Sequence, residues 1–330
     1  MRPTLIRYTL LSSLFMSALG LSSVAQAQTT YPDKTITFVV PYAAGGSSDT
    51  RSRMLAQKMA ESLGVTIVVE NKPGASGNIG TNYVARAKPD GYTIGLGNFG
   101  PMAVNKSLYG DNLPFDPQKN LQPIALIERG AMVLGVNAES PYQTAQDLLE
   151  AGKNDPNKLD YASTGAGGAS HLITEQLKDI VGFEATHVPY RGGAPASSDL
   201  MAGNISFYLE LGSLFIPHIA PPNGRIRTLA VSSEERLPAL PDTPTFKELG
   251  VDLVASNWFG VIAPAGIPDD VLNTLNKAVN DAVADPAYRQ LVQDQGAEAV
   301  GGTPEEFAEF ILQEGKRWDR LIKEKNITIQ

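Results

Sequence analysis

An apolar strand that runs into a glycine-rich turn and then into a helix occurs twice in this 330-residue chain, and that recurrence limits the fold most. The first is Phe38-Val39-Val40-Pro41-Tyr42-Ala43-Ala44-Gly45-Gly46-Ser47-Ser48-Asp49-Thr50. The second is Tyr161-Ala162-Ser163-Thr164-Gly165-Ala166-Gly167-Gly168-Ala169-Ser170-His171-Leu172. Parallel strands need crossover connections, and a helix after each strand supplies them, so the pattern implies a parallel sheet covered by helices. Glycine lets the backbone approach a ligand closely, and the helix start beyond it offers unpaired N–H groups at a positive dipole end. Each turn is therefore a candidate anion cradle. Neither has the Lys-Ser/Thr ending of a P-loop or the G-x-G-x-x-G spacing of dinucleotide sites. The expectation is an anion held by backbone and hydroxyl groups, with no nucleotide and no cofactor.

The rest of the chain extends the pattern. Strands are expected at 35–40, 65–70 and 92–96, with helices from Asp49 to a stop at Gly64 and over 79–87, a βαβαβ unit. After an irregular, Pro-containing stretch (113–123) the pattern restarts. Strands at 131–136, 161–163, 186–188, 205–209 and 227–232 alternate with helices at 144–151, 171–181 and 196–202. The C-terminal third reads as helical. Val271, Leu275, Val279 and Val283 form one stripe that Pro286 closes, and Thr303 with Glu306 makes a capping box. That box opens a helix whose Phe307, Phe310, Ile311, Trp318 and Ile322 stand at core spacing. Two α/β lobes follow. Periodicity leaves open whether they are consecutive or whether the chain crosses near residue 128 and returns near 228, which would create a cleft between them.

The first 27 residues read as a secretory signal: Arg2 and Arg7, an apolar run from Tyr8 to Leu21, then Ala25-Gln26-Ala27 as a cleavage site. Cleavage after Ala27 would export the protein. The formal charge of −8, from 27 basic and 35 acidic residues, becomes more negative when those two arginines leave. Such a chain is not expected to bind nucleic acid, and any anion must be held by local amides against the overall field. There is no cysteine, which excludes disulfides and thiol chemistry.

Among individual residues, Ala44, Gly45, Gly46 and Ser47 present helix-start amides suited to one carboxylate, and Asp49 is expected to cap its helix. Thr164, Gly165, Gly167 and Ser170 form the second cradle. His171 beside Ser170 suggests a secreted hydrolase as the rival reading, but neighbours entering a helix point apart. His187 and His218 lack metal-ligand spacing and read as structural. Tyr42 suits a pocket wall, and Tyr190, Gly192 and Gly193 form a third loop beside Arg191, a possible carboxylate partner. Asn98 and Glu210 are candidate pocket polar groups, Glu210 favouring an amine, a hydroxyl or a water.

Six ordered segments carry a family likeness: 39–49, 69–80, 88–93, 188–195, 240–245 and 258–266. In sequence they are VVPYAAGGSSD, VENKPGASGNIG, KPDGYT, VPYRGGAP, LPDTPT and WFGVIAPAG. They resemble the motifs of the Bug (TctC-like) extracytoplasmic solute receptors over essentially the whole mature chain. The resemblance implies an α/β periplasmic binding protein of the two-lobed, type II, Venus-flytrap kind with a two-strand hinge. It implies lobe one at 28–127 and 229–330 and lobe two at 128–228. It further implies a non-enzymatic, monomeric receptor in the periplasm that catches a small carboxylate, from citrate-like acids and acidic amino acids to terephthalate- or nicotinate-like aromatics. In the family the first glycine turn and the lobe-two glycine turn hold one carboxylate between them. The partner implied is the membrane permease of a tripartite tricarboxylate transporter, or a sensor kinase. The chain departs from the family at Phe207-Tyr208-Leu209-Glu210-Leu211-Gly212 and at Ala220-Pro221-Pro222-Asn223-Gly224, the far wall of the expected pocket.

Overall fold

The apolar run Ile36–Val40 forms β1, and it pairs in parallel with β2 (Ile67–Asn71) on one side and β3 (Thr93–Asn98) on the other. Helix α1 (Ser47–Leu63) makes the first crossover and α2 (Asn78–Ala85) the second, which is the expected βαβαβ unit. Gly64 ends α1 as the sequence indicates, in a left-handed conformation with its N–H bonded to Ala60 O. The computed structural model describes residues 31–219, 224–324 and 327–328. The expected signal segment with its cleavage site, and residues 220–223, lie outside them.

Short helices α3 (Asn105–Tyr109) and α4 (Pro117–Asn120) lead into β4 (Leu121–Asn137). The sequence reading placed a short strand at 131–136, yet β4 runs for 17 residues. Pro123 hid its beginning. That proline sits where the strand register shifts, a position that tolerates a missing N–H donor. The chain continues through α5 (Ala145–Asn154), β5 (Asp160–Ser163), α6 (Ala169–Val181), β6 (Thr186–Pro189), α7 (Gly193–Ala202), β7 (Phe207–Leu211), α8 (Gly212–Phe215) and β8 (Ile226–Val231). Helix α5 opens with a capping box between Thr144 and Asp147.

The C-terminal third is not only helical. It opens with β9 (Ser256–Pro264), then gives α9 (Asp269–Ala284), α10 (Pro286–Asp294), β10 (Ala297–Ala299) and α11 (Pro304–Glu324). Pro286 opens α10 instead of merely closing the preceding helix, because Asp285 caps the new one through the N–H groups of Ala287 and Tyr288. Thr303 and Glu306 form the expected box, each side chain accepting from the other's N–H. Phe307 and Trp318 of α11 are core, with half-buried Phe310 beside them. Trp318 meets Phe99 edge-on at 4.9 Å, and Trp258 meets Phe307 and Phe310 at 5.8 and 5.3 Å.

Strand order is β2-β1-β3-β9-β4-β7-β5-β6, with β8 and β10 also on β4. Up to Ala131, β4 pairs with β9; from Met132 it pairs with β7 and β8. One strand thus serves both halves of the sheet. After β8, which pairs in the second half, Leu240 packs into that half's core, and the chain rejoins the first half at β9, where Ser256 pairs with Ala131. At the crossing Ser232 is fully buried. Its hydroxyl accepts from Met132 N at 2.8 Å and donates to Ala255 O at 2.6 Å, while its backbone bonds the same two residues.

Candidate functional site

Strands β1, β5 and β6 each end in a glycine-containing loop that turns into a helix, α1, α6 and α7 respectively. Ligands of open α/β sheets bind beyond the carboxyl ends of parallel strands, and all three loops lie there. In the first loop, Gly45 has φ +83°, a conformation that favours glycine, and donates its N–H to Asp49 Oδ2 at 2.9 Å. The same carboxylate accepts from Arg53 Nε at 3.1 Å and from Asn71 Nδ2 at 2.9 Å. Burial works against the Asp49 charge, but the bonds from Arg53, Gly45 and Asn71 prevail and hold its pKa below the usual carboxylate range. Asp49 therefore fastens the loop and is spent on the protein itself. Further along α1, buried Arg51 pairs with Glu128 of β4 and donates to Gln295 Oε1 at 2.8 Å, bolting the helix to the long strand.

The second loop is held by other chemistry. Gly167 (φ +85°) donates its N–H to His171 Nδ1 at 3.1 Å, and Gly165 donates to Ser163 Oγ at 3.1 Å. Ser163 Oγ in turn lies 2.5 Å from His187 Nε2, and the two imidazoles stack with centroids 4.1 Å apart. Burial, with the positive charge of Lys178, pushes His171 down to about 4; burial and its neighbour His171 push His187 down to about 3. Both rings are neutral near pH 7. The serine–histidine contact here is thus Ser163 with His187, not Ser170 with His171. Ser170 Oγ accepts from Thr164 N at 3.1 Å, so this residue also ties down the loop.

The third loop meets the first. Ala43 N donates to Arg191 O at 3.2 Å, and the first residue of α1, Ser47, accepts at Oγ from Ser213 at 2.8 Å. A Cβ built on Gly46 would stand 3.4 Å from Gly193 N, so the N-terminus of α7 faces that of α1 across a narrow gap. The cavity there is lined by Tyr42, Ser47, Ser48, Asn98, Thr164, Gly193, Glu210, Asn257 and Phe259.

Of the residues singled out in the sequence, Tyr42, Ser47, Asn98, Thr164, Gly193 and Glu210 line this cavity together. Ala44, Gly45 and Gly46 form the loop that leads into α1, while Gly165, Gly167, Ser170 and His171 build the second loop behind Thr164. Gly192 precedes Gly193 at the start of α7. Tyr190 donates to Asp199 at 2.7 Å, and the Arg191 side chain is exposed away from the lining. Ser48, Asn257 and Phe259 were missed. The last two alternate on β9 and so share a face, a period-two signal that becomes visible once β9 is read as a strand.

Glu210 sits in β7 opposite Val133 of β4. Its Oε2 accepts from Tyr208 OH at 2.8 Å and its Oε1 from Leu211 N at 2.9 Å. Burial raises its pKa against those bonds and one from Asn257. Burial also raises the Tyr42 hydroxyl, which accepts from Asn98 Nδ2 at 2.8 Å.

Residues 52–327 match the model of the tripartite tricarboxylate transporter family receptor. Protein BugT of Bordetella pertussis is 33% identical over 313 residues, covering 94% of this chain and 95% of its own. Among solved structures, Rhodopseudomonas palustris Rpa4515 with adipate is 33% identical, with a TM-score of 0.86 over 90% of this chain and 99% of that one. MatC from the same organism, with bound malate, is 29% identical, with a TM-score of 0.84 over 88% and 100%.

Proposed function

Because the chain belongs to the receptor family of tripartite tricarboxylate transporters, we propose that it captures a small carboxylate by closing its two lobes and presents it to a membrane permease of that transporter class. The carrying observation is the convergence of α1 and α7, whose N-termini come together at Gly46 and Gly193 and whose first residues, Ser47 and Gly193, both line the cavity. First-turn N–H groups have no acceptor inside their own helix, and two positive dipole ends focused on one point favour one anion. In an acidic protein that local focus must overcome a repulsive overall field.

Relatives solved with adipate and with malate support a carboxylate ligand. The lobes that would close are the two sheet halves joined through β4 and the Ala255–Ser256 crossing. The bonds Ala43–Arg191 and Ser47–Ser213 are those that closure would make, since each joins one half to the other. Ligand touching both halves favours the closed state by its extra contacts. The periplasm is the compartment this family serves, and we place the mature monomer there. The reading is of a receptor and not of a catalyst, since Ser163, the serine in contact with histidine, is fully buried under its loop.

A thermal-shift screen tests this. Mono-, di- and tricarboxylates, aromatic acids, acidic amino acids, phosphates and nucleotides are added to the purified protein. A ligand that binds only the native state raises the melting temperature by mass action. At least one carboxylate should do so; stabilisation by phosphates or nucleotides with no response to any carboxylate would sink the proposal.

A further inference from the structure

The cavity lining is of two chemical kinds. Ser47 and Gly193 bring the donor groups of the starts of α1 and α7, and Asn98 and Glu210 bring acceptors. Asn98 is 4% exposed and spends its Nδ2 on Tyr42 OH, which leaves its Oδ1 without a hydrogen-bond partner among the described residues. Glu210 is 3% exposed, and each of its oxygens accepts one protein bond at 2.9 Å or shorter. A carboxylate has about four acceptor sites, so after these two bonds and the one from Asn257 it keeps one. The partners of Glu210 are a phenol, a backbone amide and the Asn257 amide, all neutral.

We infer, resting on the carboxylate reading above, that the ligand also carries a hydrogen-bond-donating hydroxyl or ammonium group, which Asn98 and Glu210 accept. An acid without such a group would seal the Asn98 carbonyl away from water unpartnered and leave the last acceptor site of Glu210 unfilled, and a buried acceptor left so costs its full desolvation. Sites built to bond a polar group reject analogues that lack it far more strongly than apolar pockets reject a methylene. The ligand class is therefore the hydroxy and amino acids, and the unsubstituted acids of the same length are disfavoured.

Matched triplets measure this directly by titration calorimetry on the whole protein. These are propionate, lactate and alanine; succinate, malate and aspartate; and adipate, 2-hydroxyadipate and 2-aminoadipate. In at least one triplet a substituted acid should bind about tenfold or more tightly than its parent. Glu210→Gln keeps the shape and removes the charge, so it should weaken the amino acid more than the hydroxy acid. Parents binding as well as their substituted partners in every triplet, or an unchanged amino-to-hydroxy ratio in E210Q, would overturn the inference while leaving a carboxylate receptor intact. If E210Q does not fold, the ratios in the unaltered protein decide. No binding by any acid in these triplets or in the thermal screen would overturn both readings.

Discussion

The first and second glycine loops have the same outline, a strand end, a left-handed glycine and a helix start, yet they are fastened by opposite means. The first hangs on an ionised carboxylate, Asp49, that gathers Gly45, Arg53 and Asn71. The second hangs on acceptors that must stay uncharged, His171 Nδ1 and Ser163 Oγ backed by His187. For the anion cradles proposed above, only backbone in the right shape would be needed, and what maintains the shape is free to vary. The two scaffolds differ in how tightly the surroundings close on them and in how they respond to acid.

The largest expected difference comes from filling the glycines. A Cβ at Gly167 would stand 2.6 Å from Asn105 Oδ1 and 2.8 Å from Leu108, and Asn105 is fully buried. Gly167→Ala should therefore cost roughly 4 kcal/mol, combining left-handed strain with overpacking. At Gly45 the nearest atom is Ala194 Cβ at 3.5 Å, an ordinary contact, so Gly45→Ala should cost only about 1 kcal/mol of strain. Urea unfolding midpoints of the two variants read the gap; equal losses would erase the asymmetry.

Acid comes next. Because folding lowers the His171 pKa to about 4, the stability it lends is complete above its ordinary value and drains away as pH falls towards 4. That loss is roughly 3 kcal/mol. Asp49, lowered from the carboxylate range, keeps its contribution until pH falls below that range. His171→Asn retains an acceptor near the Nδ1 position without titrating. Its stability profile from pH 7 to pH 4 should be flatter than that of the unaltered chain, and an identical profile would remove the histidine scaffold from the account.

A smaller effect than either of these two contrasts is that of Asp49→Asn, which keeps the shape and loses the charge-assisted bonds. It should cost about 1.5 kcal/mol at pH 7, measured by thermal unfolding. A loss as large as that of Gly167→Ala would mean the first loop is the more demanding of the two.

Both glycine loops were legible in the sequence because their signals are local, an apolar run meeting glycines before a helical period. Glu210 was legible for a related reason, as a charge inside the apolar strand Phe207-Tyr208-Leu209-Glu210-Leu211. β9 was not. Its run Trp258-Phe259-Gly260-Val261-Ile262-Ala263 is apolar throughout because β3 and β4 flank it and both faces are covered, so no alternation marks it, and Asn257 and Phe259 were lost with it. The role of His187 was hidden differently. Its contact with Ser163 joins residues 24 positions apart, and only the parallel pairing of β5 with β6, which sets Tyr161 opposite His187 and Ser163 opposite Pro189, brings them within reach.

Ser232 has a mechanical consequence. The chain passes between the two halves of the sheet at Ala131–Met132 and at Ala255–Ser256, and Ser232 bonds to Met132 and Ala255 through backbone and hydroxyl alike. On either side of it the β-ladders lead into their own half. In the closure proposed above, one buried hydroxyl would work as an axle: it would keep the two crossings at a fixed spacing while the halves turn, so that the loops in front meet in the same alignment each time.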